Sequence, residues 1–89
     1  MQADHAKITR LLKTARGQLD GIARMVEEDR YCIDVFNQVS AAQSLLHRIN
    51  REILQAHMKH CVRDALGQGN PEADMKIEEI TALFDKMKI

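Results

Sequence analysis

Apolar residues recur along this chain with the period of a helix. Between about residues 4 and 26 they fall at Ile8, Leu11, Leu12, Ala15, Leu19, Ile22 and Val26. This is the i, i+3, i+4, i+7 spacing of one helical face. At 100° per residue they cover an arc of roughly 100°. Lys7, Arg10, Lys13, Arg16 and Arg24 occupy the opposite arc. Gly17 and Gly21 stand one turn apart, each weakening a helix by about 1 kcal/mol relative to Ala. Their common face predicts a place where another helix approaches closely. The run Glu27-Glu28-Asp29-Arg30 predicts a turn.

A second helical stretch runs from about 32 to 64 without Pro or Gly, with Val35, Val39, Ala42, Leu45, Leu46, Ile49, Ile53, Ala56 and Met58 as apolar positions. Gly67-Gln68-Gly69-Asn70-Pro71 is the strongest breaker in the chain. A shorter helix follows to about 88, with Ile77, Ile80, Leu83, Phe84 and Met87 as its stripe. The pattern predicts an all-α protomer of three helices with a long central one. Thirty-odd helical residues extend ~50 Å at 1.5 Å per residue, whereas a compact chain of this size spans only ~30 Å. The far half of the central helix therefore has to pack on another chain, which predicts an obligate oligomer.

Composition narrows the class. The 89 residues suffice for a single domain, 1–89. Hydrophobic residues are 45% and charged residues 29%, a globular balance. One Tyr, two Phe and no Trp are too few for a β-sandwich or barrel. No apolar run reaches membrane-spanning length, and no secretion signal is apparent. Two cysteines without such a signal point to a reducing, cytoplasmic setting.

The formal net charge of zero hides an asymmetry: residues 1–30 sum to +1, residues 31–63 to +2 and residues 64–89 to −3. Five bases between Lys7 and Arg24 face Asp20 alone. Positive charge confined to particular surfaces of a neutral chain suits a polyanionic partner; the plainer reading is a solvated helix face.

Chemistry concentrates at three residues. His57 and Cys61 share a face at i, i+4. Cys32 opens the same helix ~37–44 Å away, so it cannot meet them within one protomer. Antiparallel pairing of two such helices brings Cys32 of one chain to His57 and Cys61 of the other, making two identical sites per two-fold dimer. Two thiolates and one imidazole suit soft Cu(I), which thiolate ligands select; structural Zn(II) normally takes four protein ligands. The alternative is that both cysteines are small buried hydrophobes and the histidine an ordinary surface group. His60 points about 100° away, and His5 and His47 have no thiol near them in sequence.

The stretches RLLKTARGQLDGIARMVEEDRYCIDVFNQVSAAQSLLHRINREIL and HMKHC resemble the CsoR/RcnR family of metal-sensing transcriptional repressors, from about Thr9 to Cys61. The resemblance implies an all-helical antiparallel dimer, usually paired into a homotetramer. It implies no helix-turn-helix, but a broad basic face that meets double-stranded operator DNA. Cys32, His57 and Cys61 match the ligand set of the copper(I) branch, with Tyr31 and Glu79 at its supporting positions. Arg16 and Arg48 match basic family positions, and Arg10, Lys13 and Arg51 complete the implied DNA-binding set. One departure stands out: Leu11 occupies a position that is basic in copper relatives.

The resemblance implies a copper(I)-responsive repressor, released from DNA by the metal so that copper-efflux genes are expressed. Nickel/cobalt relatives have a histidine in place of Cys61 and recruit an N-terminal ligand, which keeps His5 in view. The alternative is a thiol- or persulfide-sensing repressor of the same fold, in which Cys32 and Cys61 of facing chains link; such relatives keep both cysteines without the histidine, so His57 is the discriminating residue. Formaldehyde-sensing relatives have proline where this chain has Gln2. A metal buffer would need no basic face. An enzyme is disfavoured, because no catalytic triad, carboxylate pair or phosphate loop appears.

Overall fold

A computed structural model of the protein describes residues 1–67 together with 75, 78–80, 82, 83 and 86. Two helices are described in full, α1 (His5–Glu27) and α2 (Cys32–Gly67). Residues 75, 78–80, 82, 83 and 86 are also helical, within the stretch that predicts the third helix. The Gly67–Pro71 breaker beyond its first residue lies outside the described residues, as do Ile77, Phe84 and Met87 of the expected stripe. There is no strand among the described residues, in accord with an all-α class.

The chain divides into two units, residues 5–49 and residues 1–4 with 50–89. The first is built on Ile8, Leu11 and Ala15 of α1 and Ala42 and Ile49 of α2, all buried. Helices joined by so short a connection pack as antiparallel neighbours, and these residues fill the seam. In the second unit Ala3 is buried, while Ile53, Leu54, Ala56, Met58 and Ile80 are half-buried.

The predicted apolar stripes are only partly covered. Leu12, Leu19 and Val26 of α1 and Val39 and Leu46 of α2 are exposed, Val26 by 62%. Phe36 is 66% exposed. Leu12, Leu19 and Val26 follow one another at intervals of seven, on the flank of the arc that carries Ile8 and Ala15. One neighbouring helix covers only part of so wide an arc. Full burial of a Leu, Val or Phe side chain stabilises by about 1.5–3 kcal/mol, so these residues leave a large unused contribution on the surface. Among the described residues no helix approaches Gly17 or Gly21: a Cβ added at either meets nothing within 4 Å.

The turn between the helices has a defined closure. Asp29 adopts a left-handed backbone with φ 53°. The Arg30 N–H donates to the Met25 carbonyl at 2.9 Å and the Asp29 N–H to the Val26 carbonyl at 3.1 Å. This paired 6→1 and 5→2 closure is the Schellman motif, whose left-handed position is usually Gly. Asp tolerates that conformation better than most residues, but it also places a third carboxylate after Glu27 and Glu28 at the negative end of the helix dipole.

Two expectations follow. Asp29→Gly removes both the conformational penalty and the misplaced charge, and should stabilise the fold by about 0.5–1 kcal/mol in urea unfolding; an unchanged or lower midpoint would contradict the motif's assigned cost. Gly17→Ala should add about 1 kcal/mol in the same measurement. A loss instead would mean that a second chain closes on that face.

Candidate metal centre and nucleic-acid face

Cys32 is the first residue of α2. The helix starts there because the Tyr31 carbonyl accepts the Val35 N–H at 3.2 Å. Asp34 stands in the first turn, where a carboxylate complements the helix dipole. Tyr31 supplies no side-chain cap of the preferred kind, and its ring is 68% exposed. The Cys32 thiol is exposed.

Toward the other end of α2, Cys61 Sγ lies 3.6 Å from His57 Nε2. The i, i+4 spacing on an unbroken helix brings them together, and both residues are exposed. A sulfur at ~2.3 Å and a nitrogen at ~2.0–2.1 Å from one ion lie about 3.5 Å apart at a tetrahedral angle. The pair is thus already spaced as two donors to a single metal ion. A bound ion would require the thiol to lose its proton and the imidazole to be neutral.

The third expected ligand is not in this cluster. About 25 residues of α2 separate Cys32 from His57, or ~37 Å of helix. Among the described residues no group of three or more His, Cys, Asp and Glu side chains gathers as a metal site. The three residues nevertheless agree in phase: at 100° per residue Cys32, His57 and Cys61 fall within an arc of ~40°. Phe36, Val39 and Leu46 share the same side of the helix.

His60 is engaged elsewhere. Its Nε2 lies 3.3 Å from Asp64 Oδ2, a partner that the i, i+4 spacing makes legible in the sequence. Glu79 is helical and exposed, with no hydrogen bond or ion pair among the described residues. Its link to the His57 ring therefore stays an expectation.

The basic residues are all presented to solvent. Arg10, Lys13, Arg16, Arg48 and Arg51 are exposed, and none has an ion-pair partner among the described residues. Arg10 and Lys13 line an open concavity of about 650 Å³ with His5, Ala6, Thr9 and Thr14. His5 and Thr9 thereby join the basic side of α1, an association that follows from their spacing but carries no charge signal. The Thr14 hydroxyl donates to the Arg10 carbonyl at 3.1 Å, which turns it back to the backbone. Leu11 is buried at 8% exposure. The departure from the basic family position is thus a core residue of this chain.

The description of metal-sensitive transcriptional repressors matches the chain over residues 4–86. The copper-sensing transcriptional repressor RicR of Mycobacterium tuberculosis is 45% identical over 76 residues, 85% of this chain and 79% of that protein. The copper-sensing repressor CsoR of the same species is 51% identical over 69 residues, 78% of this chain. The chain spans 56% of the length of that CsoR. Among solved structures, the nickel-responsive transcriptional regulator InrS superposes with a TM-score of 0.76 at 31% identity, covering 97% of this chain and 94% of that one. The copper-sensing repressor CsoR with Cu(I) from Geobacillus thermodenitrificans gives a TM-score of 0.69 at 33% identity, covering 94% and 85%.

Proposed function

Because the chain belongs to the metal-sensitive transcriptional repressor family, we propose that it is the copper(I)-responsive kind: a cytoplasmic protein that holds operator DNA when metal-free and leaves it when Cu(I) is bound, so that copper-efflux genes are expressed. The observation that carries this reading is the Cys61–His57 pair at 3.6 Å, in phase with Cys32 on one side of α2. Cys32 of one copy with His57 and Cys61 of another would hold the ion, in a homodimer that pairs further into a homotetramer. Two thiolates and an imidazole supply soft, low-coordinate binding of the sort Cu(I) prefers. The relatives named for copper sensing support the assignment.

A second reading is nickel sensing, favoured by the likeness to the nickel-responsive InrS. Nickel(II) favours nitrogen and oxygen donors in a square-planar or tetragonal arrangement, and the second thiolate at Cys61 weighs against it. Titration of the reduced protein with Cu(I) and with Ni(II), each followed by operator binding, separates the two.

On the DNA side, Arg10, Lys13, Arg16, Arg48 and Arg51 serve as phosphate contacts, which position a protein without reading bases. Their exposure, and their lack of ion-pair partners among the described residues, support this role. Metal and DNA are coupled only if the metal prefers a conformation that DNA disfavours. Two thiolates suffice to retain Cu(I), so His57 is the ligand most easily spared for affinity. Its second ring nitrogen is available to a supporting residue, for which Tyr31 and Glu79 are the candidates. The imidazole would then pass the binding event to the rest of the fold.

His57→Ala is therefore expected to keep substantial Cu(I) affinity while losing most of the native coupling, about 1–3 kcal/mol in the usual allosteric range. Operator affinity with and without Cu(I), for native, His57→Ala and Glu79→Ala proteins, measures this. A metal-loaded His57→Ala protein that leaves DNA as fully as the native one would sink the mechanism. Cys32→Ala should lose tight binding altogether. DNA affinity should fall steeply with salt through counterion release, and Arg48→Ala should lower the logarithmic salt slope by roughly one; a flat native salt dependence contradicts the electrostatic face.

A further inference from the structure

The open concavity on α1 lies between two rows of side chains. His5, Thr9 and Lys13 follow one another at i, i+4, and Ala6, Arg10 and Thr14 form the adjacent row. All six are exposed. All belong to α1, within one unit of the chain. Ala6 and Thr9 are short, which leaves room between the longer Arg10 and Lys13. Long helical side chains lean toward the start of their helix, which for Arg10 and Lys13 is the direction of Ala6, Thr9 and His5.

The polar chemistry of this concavity has one sign. His5, Thr9, Arg10 and Lys13 all bring N–H or O–H donors. The Thr14 hydroxyl is engaged by the Arg10 carbonyl at 3.1 Å. No carboxylate lines the concavity, although the chain holds 13 acids against 13 bases. The first turn of α1 has no acid, and the helix has none before Asp20. A helix face that is merely solvated gains from mixed signs, because opposite charges at i, i+4 stabilise it; this one forgoes them. A guanidinium, an ammonium and neutral donors around one space suit a phosphate group, whose several oxygens accept from all of them.

His5 is the member whose charge varies. Arg10 and Lys13 stay cationic at physiological pH, whereas an imidazole changes its charge between pH 5 and 8. The charged groups around His5 are Arg10 and Lys13 in the concavity and Asp4 immediately before it. Among the described residues none from α2 lines the concavity. An anion seated there attracts an imidazolium more than an imidazole, so anion binding and proton uptake reinforce each other.

We propose that this concavity seats one backbone phosphate of bound DNA, with His5 and Thr9 as ligands beside Arg10 and Lys13, and that protonation of His5 tightens the grip. The proposal deepens the reading above that a basic face meets DNA, and it rests on that reading.

The probe is a mixed-sequence DNA duplex, since phosphate contacts are blind to sequence. Its affinity for reduced, metal-free, full-length protein is measured against salt at about pH 5.5 and about pH 8, on either side of the imidazole's change of charge. Native protein should bind severalfold tighter at the lower pH, with a logarithmic salt slope steeper by roughly one for each His5 that meets DNA. His5→Asn, with His47, His57 and His60 still in place, should lose that pH difference. His5→Lys should show the steeper slope at both pH values. Thr9→Val, with helicity kept by circular dichroism, should bind severalfold more weakly at both pH values with the slope unchanged. A native slope that is steep but equal at the two pH values, or a pH difference that survives in His5→Asn, overturns the proposal and leaves the basic face standing. A native slope near zero at both overturns the DNA reading together with it. Nuclear magnetic resonance of the His5 ring proton separates the sources of phosphate. Its signal should move with the duplex and hardly at all with inorganic phosphate at equal phosphate concentration. An equal response to inorganic phosphate would make this a site for the free anion and overturn its assignment to DNA.

Discussion

A helix cannot fold back on itself, and that constraint organises everything else in this chain. Cys32 begins α2, and His57 and Cys61 stand near the far end of the same unbroken helix. Local geometry joins His57 to Cys61 at 3.6 Å and, by the same rigidity, keeps Cys32 away from both. In the proposed dimer a second copy would resolve this shared phase without shared position. The uncovered residues agree: Phe36, Val39 and Leu46 are apolar and exposed on the side that carries the ligands. The proposed assembly would cover them, gaining hydrophobic stabilisation at the same time as it completed the proposed ligand set.

The basic residues obey a different logic. Arg10, Lys13 and Arg16 lie on α1 away from its buried arc, and Arg48 and Arg51 lie on α2 outside the ligand face. In the proposed reading a polyanion and a soft metal ion address different sides of the same two helices. Leu11 illustrates the division. The resemblance implies a basic residue at this position, whereas this chain buries a leucine there at 8% exposure on the inner side of α1.

Much of this is legible in the sequence, for identifiable reasons. The start of α2 at Cys32 and the first-helix span are readable because their apolar spacing is regular and no breaker interrupts it. The His57–Cys61 pair is readable because i, i+4 contact is a property of any helix. The exposure of Leu12, Leu19 and Val26 is not readable, since periodicity defines a face without saying what covers it. Gly17 and Gly21 pose the same question: a small-residue face invites a neighbour, and among the described residues none stands within 4 Å of a Cβ added there. The charged run after Val26 marks a turn, but the left-handed conformation falls on Asp29 where no glycine signals it. The residues that would place Glu79 against His57 are set by tertiary packing, on which helical spacing is silent.

The unbroken span of α2 also restricts how a chain of this kind can change in length over evolutionary time. Inserting or deleting one residue between Cys32 and His57 would rotate one ligand by 100° relative to the other and put them on different sides of the helix. Neighbouring residues could not absorb such an error as they absorb substitutions. Changes of a whole heptad would preserve the phase of the side that carries Cys32 and His57, and in the proposed antiparallel dimer two copies lengthened alike would still oppose Cys32 to His57. Between its ligands, then, the helix can drift in composition but can grow or shrink only in quantised steps, whereas segments outside that interval carry no such rule.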